Sequence, residues 1–308
     1  MSTEPTFASP VDTASHGEYR IRHEPDDPRP LYRFTGRITA DGSSGYPAEP
    51  GRYHLYAGWF CPWSQRVTLG IAERGLDEVI SVSYVDHARD GRGWAFRERT
   101  GPDPINGFAL LREAYDATEP DFDGHISTPT LWDRTTGRVV SNDFRTIGQD
   151  IATAFASPVE TYPHHLRARI EDLDSWIGPA VNSGAGAAAG DGPDAIAARS
   201  RLLDAFARLD KRLARSRYLL GDAVTEADIR LWVTLVRYDA QLNVDGRIGP
   251  SLPGFGHLWD YARDLYQRPA FRRTTDFSSF TDPGARPLDW TAPHDRDQLD
   301  WFADRSIA

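Results

Sequence analysis

The stretch Arg52-Tyr53-His54-Leu55-Tyr56-Ala57-Gly58-Trp59-Phe60-Cys61-Pro62-Trp63-Ser64-Gln65-Arg66 decides how this chain is read. Tyr53 to Ala57 is a strand-like run. Pro62 suits the first turn of a helix, where a missing N–H costs nothing, and Gly75 is a good residue just past its end. A helix is therefore expected over Pro62 to Arg74. Cys61, the only cysteine in the chain, would stand at the N-terminus of that helix, beside free N–H groups and the positive end of its dipole. That setting favours thiolate over thiol and lowers a cysteine pKa from its free value of about 8.5. Ser64 occupies the position where a dithiol motif would carry its second cysteine. Thiol chemistry here must then finish with a thiol from another molecule. The plainer alternative is a small buried residue, as free cysteines often are.

Outward from this stretch, Val79 to Val85 reads as a second strand. Asp86 to Asp123 is long and polar, with Gly91, Gly93, Gly101 and Pro102, and reads as an insertion with a helical piece around Gly107 to Thr118. Ser127 to Asp133 is a third strand opened by Pro129, placed as a cis-proline can be where a turn meets a sheet. Val139 to Ser141 follows, then a helix from about Asn142 to Phe155. Strand, helix, strand, insertion, strand, strand, helix is the thioredoxin-like order. From Thr161 onward the apolar spacing becomes three and four, over Tyr162 to Val181 and Ala195 to Arg215. The Gly/Ala-rich segment between them, Asn182 to Asp194, reads as a flexible loop. Thr225-Glu226-Ala227-Asp228 is a capping-box variant that opens a helix through Ala240, and Leu258 to Gln267 gives another. The fold class is thus α/β plus all-α. Residues 1–50 form an extended arm with a short strand at Leu31 to Phe34. Residues 51–157 form a thioredoxin-like domain with its insertion at 86–123, residues 158–280 an all-helical domain, and residues 281–308 an irregular tail.

Bulk properties narrow the function. The 308 residues suffice for two domains. A net charge of −10 argues against nucleic acid as a partner, and no apolar run approaches the roughly 20 residues that cross a membrane. The polar stretch Met1 to His16 lacks a signal core. A single cysteine excludes an internal disulfide and fits a reducing compartment, so a cytoplasmic location is expected. His164-His165 reads as a solvated pair, and no Cys/His spacing suggests a zinc site; no metal is expected. His87 and Arg89, just past the second strand, lie where they could reach the thiol site, and Arg66 lies on the helix after Cys61.

Six pieces of sequence, in order, resemble the glutathione transferases, and within them the xi class, the glutathionyl-hydroquinone reductases. They are Tyr53-His-Leu-Tyr with Cys61-Pro-Trp, Gly93-Trp94-Ala-Phe96, Leu111-Arg-Glu-Ala-Tyr115, Pro129-Thr-Leu-Trp-Asp133, Thr225-Glu-Ala-Asp-Ile-Arg-Leu231 and Arg263-Asp-Leu-Tyr-Gln267. The resemblance runs from about Tyr53 to Phe277. It implies a thiol transferase or reductase in which Cys61 attacks a conjugate sulfur and is resolved by a second small thiol. By the same resemblance Trp94 lines the thiol site, Thr128 before Pro129 offers backbone groups to it, and Asp143 stands where the family holds the glutathione amine. A homodimer is also implied. The departures are as informative. His125 replaces a carboxylate-binding arginine, and it cannot make the bidentate fork of Arg. Asp143-Phe144 replaces a Glu-Ser pair. Neither family tyrosine of the acceptor site is matched, after Asn182-Ser-Gly184 or around Phe277, which leaves Tyr238, Tyr261 and Trp59 as substitutes to consider. The cosubstrate is glutathione or another low-molecular-weight thiol such as mycothiol, a sugar-linked thiol without the γ-glutamyl group; the second substrate is aromatic. Two other readings share these features: an aromatic-ligand binding protein without redox catalysis, and a biosynthetic conjugating transferase.

Overall fold

Every residue of the strand Tyr53–Ala57 is buried, which requires a sheet covered on both faces. The structure, a computed structural model, describes residues 5–21, 26–294 and 296, and the chain divides into two units, Met1–Val159 and Glu160–Ala308. The first carries, in order, α1 (Thr13–His16), β1 (Tyr53–Ala57), α2 (Pro62–Glu73), β2 (Ile80–Tyr84), α3 (Arg112–Thr118), β3 (Thr130–Asp133), β4 (Arg138–Ser141) and α4 (Phe144–Thr153). The sheet order is β2-β1-β3-β4, with β1 parallel to β2 and antiparallel to β3, and β3 antiparallel to β4.

The period of two along β1 sorts its side chains. Tyr53, Leu55 and Ala57 join Val67 and Ile71 of α2 and Ile147 and Ile151 of α4 in one core. Tyr56 joins a second core with Trp94, Phe96, Leu111 and Tyr115. The insertion is therefore the lid of the second face of the sheet. His54 shares β1, and its ring nitrogens lie 2.7 Å from Ser81 Oγ and 2.8 Å from Ser83 Oγ. Burial pushes its pKa down to about 3.

Local expectations hold at α2, where Pro62 is in the first turn and Gly75 has φ +65°. The helical piece of the insertion begins at Arg112, later than expected, because the preceding Ala109 and Leu110 N–H groups donate to the Glu113 carboxylate at 2.9 and 2.8 Å. Leu31 to Phe34 is not a strand. Among the described residues the arm's β-bridge to the sheet joins Thr35 and Ser141, flanked by Asn142 N–H to Phe34 O and Gly36 N–H to Val140 O.

The second unit contains α5 (Arg167–Ile177), α6 (Gly184–Ala189), α7 (Pro193–Leu213), α8 (Glu226–Arg237), α9 (Gly256–Gln267) and α10 (Pro269–Arg273). The expected flexible loop at Asn182 to Asp194 is instead mostly helical, with α6 at its centre and the first residues of α7 at its end. Its alanines let α6 pack closely on α7, with Ala185 and Ala188 buried, and Arg199 closes it with bonds to Ala188 O and Gly190 O at 2.8 and 2.7 Å. The capping box forms as read. Asp228 accepts from Thr225 N–H at 2.8 Å, and also from Leu219 N–H and the Tyr261 hydroxyl. Past a short 3-10 turn at Phe277–Ser279, the described part of the tail packs Trp290 onto Trp232 and Trp259. Residues 1–4 and 22–25 of the expected arm, and 295 and 297–308 of the expected tail, lie outside the described residues. No described helix is long and apolar enough to cross a membrane.

Candidate active site

Cys61 is the N-cap of α2, with extended backbone angles (φ −87°, ψ 118°), and its Sγ accepts the Ser64 N–H at 3.4 Å. The turn is locked from behind, where the Ser64 hydroxyl accepts the Gly58 N–H at 3.1 Å. Opposite it, a cis peptide joins Thr128 to Pro129 at the start of β3, and the Cys61 thiol donates to Thr128 O at 3.4 Å. The sulfur thus lies between a backbone N–H donor and a backbone carbonyl acceptor, at the N-terminus of α2. Cys61 is buried, with 8% of its surface exposed.

The loop bearing Thr128 is held by Tyr115. Its hydroxyl accepts the Ser127 N–H and lies 2.8 Å from Thr130 Oγ1. Trp94, also 8% exposed, packs its ring on Phe60 with centroids 4.6 Å apart. Its buried indole Nε1 has no hydrogen-bond partner among the described residues. His125 sits between two tyrosines of the arm. The Tyr19 hydroxyl is 3.1 Å from its Nδ1 and donates to Ile126 O at 3.2 Å, and the Tyr32 ring lies 6.3 Å away. Burial pushes the Tyr32 hydroxyl pKa up; Arg145 opposes the rise, and Asp143 and Cys61 add to it. Asp143 is the N-cap of α4 and accepts the Arg145 N–H at 3.0 Å. Phe144, where the family has a hydroxyl, stacks on Trp63 at 4.6 Å, and the Arg66 guanidinium lies 5.5 Å from the Phe144 ring.

Cys61 therefore meets the Thr128–Pro129 turn, Trp94 packs on Phe60, the neighbour of Cys61, His125 lies beside Tyr32, and Asp143 precedes Phe144, which contacts both Tyr32 and Trp63. Other candidates go elsewhere. His87 contacts Arg99 and Asp86. Trp59 stacks on Tyr84 at 3.9 Å. Tyr238 and Tyr261 are buried, with hydroxyls bonded to Pro250 O and Asp228. His164 and His165 are exposed in a 3-10 turn, and no group of metal-ligating side chains occurs among the described residues. Sequence reasoning missed Tyr19 and Tyr32. The signal was there as isolated aromatic residues in an otherwise polar arm.

Both halves of the chain match family models: residues 60–154 that of the glutathione S-transferase N-terminal domain, and residues 166–264 that of the C-terminal domain. The glutathionyl-hydroquinone reductase YqjG of Escherichia coli K12 is 34% identical over 264 residues, covering 79% of each chain. Its glutathione-bound structure superposes with a TM-score of 0.80 at 30% identity, over 86% of this chain and 96% of that one. The glutathionyl-hydroquinone reductase PcpF of Sphingobium chlorophenolicum is 36% identical over 237 residues, 74% of this chain and 72% of that one. A xi-class transferase from Natrialba magadii gives a TM-score of 0.80 at 31% identity, over 86% of this chain and 91% of that one.

Proposed function

The chain belongs to the glutathione S-transferase superfamily of enzymes, alongside the xi-class glutathionyl-hydroquinone reductases, and on that premise we propose that it is a glutathione-dependent thiol transferase acting through Cys61. The Cys61 thiolate attacks the sulfur of an aryl thioether of glutathione. The sulfur–carbon bond breaks, its electron pair stays on the ring carbon, and a proton completes the C–H bond of the released aromatic. Cys61 and glutathione remain as a mixed disulfide. A second glutathione thiolate attacks the glutathionyl sulfur, expels the Cys61 thiolate and leaves as glutathione disulfide. The aromatic is reduced by two electrons and two glutathiones are oxidised.

The observation that carries this reading is the sulfur itself, 3.4 Å from both the Ser64 N–H and Thr128 O at the start of a helix. The donor and the dipole stabilise the thiolate both as it attacks and as it leaves. Trp94, Thr128, Pro129 and Asp143 form the thiol site, with His125 as its altered member. The uncharged sugar-linked thiol mycothiol is the second reading, favoured by His125 and Phe144 standing where the family has arginine and a hydroxyl. The proposed setting is the reducing cytoplasm, and the proposed assembly a homodimer. Intact-mass spectrometry after exposure to glutathione disulfide, and separately to mycothiol disulfide, decides the cosubstrate. One glutathionyl group added to the wild type and absent from Cys61→Ala is expected. An adduct from mycothiol alone selects the second reading, and no adduct at Cys61 defeats both.

A further inference from the structure

Four arginines lie between Asp86 and Arg99, and three have partners. Arg92 pairs with Asp90 at 2.7 Å, Arg97 donates to Ala88 O at 2.8 Å, and Arg99 pairs with Asp86. Arg89 makes no hydrogen bond or ion pair among the described residues. Instead its guanidinium lies 4.2 Å from the centre of the Tyr19 ring and 4.0 Å from that of Trp94. Both rings contact the cation without using its N–H groups, which lie in the guanidinium plane, at its edge. An edge of this kind receives a carboxylate in bidentate fashion. Burial draws the Arg89 pKa downward, because a half-buried cation has lost hydration, a cost that a bound anion would offset.

The position is as telling as the pairing. β1 and β2 are parallel, with Ala57 opposite Tyr84. Cys61 follows the first strand and Arg89 the second, so both emerge from the same end of the sheet. Trp94 packs on Phe60, the neighbour of Cys61. Tyr19 bonds to Ile126 O on the loop that presents Thr128 to the sulfur. The two rings that flank Arg89 are thus both tied to the thiol site.

We propose that Arg89, between Tyr19 and Trp94, binds a carboxylate of the thiol cosubstrate, supplying from the insertion the anion anchor that His125 does not provide. The proposal rests on the thiol-transferase reading above and sharpens it. The cosubstrate is an anionic peptide thiol of the glutathione type, and Tyr19 is a positioning residue that acts through Arg89.

The test is the binding of S-methylglutathione, which cannot exchange disulfides, and of its diethyl ester, which lacks free carboxylates, measured by calorimetry. The wild type is expected to prefer the acid over the ester. Arg89→Gln is expected to weaken acid binding by about 10- to 100-fold, the range of a charged hydrogen bond, and to bring the ratio of acid to ester affinity toward one. Arg89→Lys, which keeps the charge without the fork, falls between. Acid affinity unchanged in Arg89→Gln, or equal losses for acid and ester, overturns the anchor. If Arg89→Gln does not fold, the wild-type comparison decides, since equal affinity for acid and ester overturns the anchor as well. A wild type that binds the acid preferentially but takes no glutathionyl group on Cys61 leaves the anchor standing and removes the thiol-transferase reading.

Discussion

The turn around Cys61 and the N-terminal arm both border the sulfur, but they are built by opposite means. The turn is specified by its own neighbours: Pro62 in the first helical turn, Ser64 bracing Gly58, and Gly75 closing the helix. The arm is specified by residues far along the chain. Ala8 N–H donates to Phe96 O, the Asp12 N–H to Asp90, and Arg92 to Ser9 Oγ. Gly91 N–H donates to Gly17 O at 2.7 Å, and a Cβ on Gly91 would lie 2.0 Å from His16 O. The contrast separates two duties. Short-range rules place the nucleophile, and long-range docking places Tyr19 and Tyr32 beside the groups that would recognise its cosubstrate.

The largest expected effect falls on the turn. Cys61→Ala should lower thiol-dependent turnover at least about a thousandfold, since a nucleophile has no substitute in a covalent mechanism. Assay with a glutathionyl-hydroquinone conjugate checks this, and retained activity would move the chemistry elsewhere. The arm comes next. Gly91→Ala should displace the arm, cost about 2–3 kcal/mol of stability by overpacking and raise the KM for glutathione more than it lowers kcat. Limited proteolysis should then release the arm early. An unchanged digestion pattern would mean the arm is held without this close approach.

A third effect probes the strand beneath the turn. His54 has its folded pKa depressed to about 3 from an ordinary 6.5. The unfolded chain therefore binds the extra proton between those values, so stability is full above about pH 6.5 and falls below it. The expected loss is about 1.4 kcal/mol per pH unit from this one group. Urea unfolding at pH 7 and pH 5 measures it, and His54→Gln should flatten the dependence. The smallest effect is Tyr19→Phe. It removes the bond to Ile126 O and should cost about 1 kcal/mol, while the ring that flanks Arg89 remains.

The same contrast explains what could be read in advance. The order of strands and helices, Cys61 at its helix start, cis-Pro129 and the Thr225–Asp228 box all depend on residues within a few positions of one another. Helix α6 was hidden because Gly184 and Gly186 oppose a helix and no large side chain supplies an apolar period, although its alanines favour one and Gly184–Ala189 packs on α7. The roles of Tyr19 and Tyr32 were hidden because no local pattern links an aromatic residue in a polar segment to a histidine about a hundred positions later. His125 and Phe144 could be seen as substitutions. Arg89 could be placed near the thiol site from its position after the second strand, but the two rings that flank it came into view only with the fold.

The attachment of the arm bears on how this enzyme could be re-tuned. Residues 5–21 form a strap laid over a frame that does not need them for its sheet. Under the Arg89 proposal, exchanging that strap for a sequence with a different residue at position 19 would shift cosubstrate preference while Cys61 stays untouched, so that selectivity and reactivity could drift apart in descendants of this scaffold.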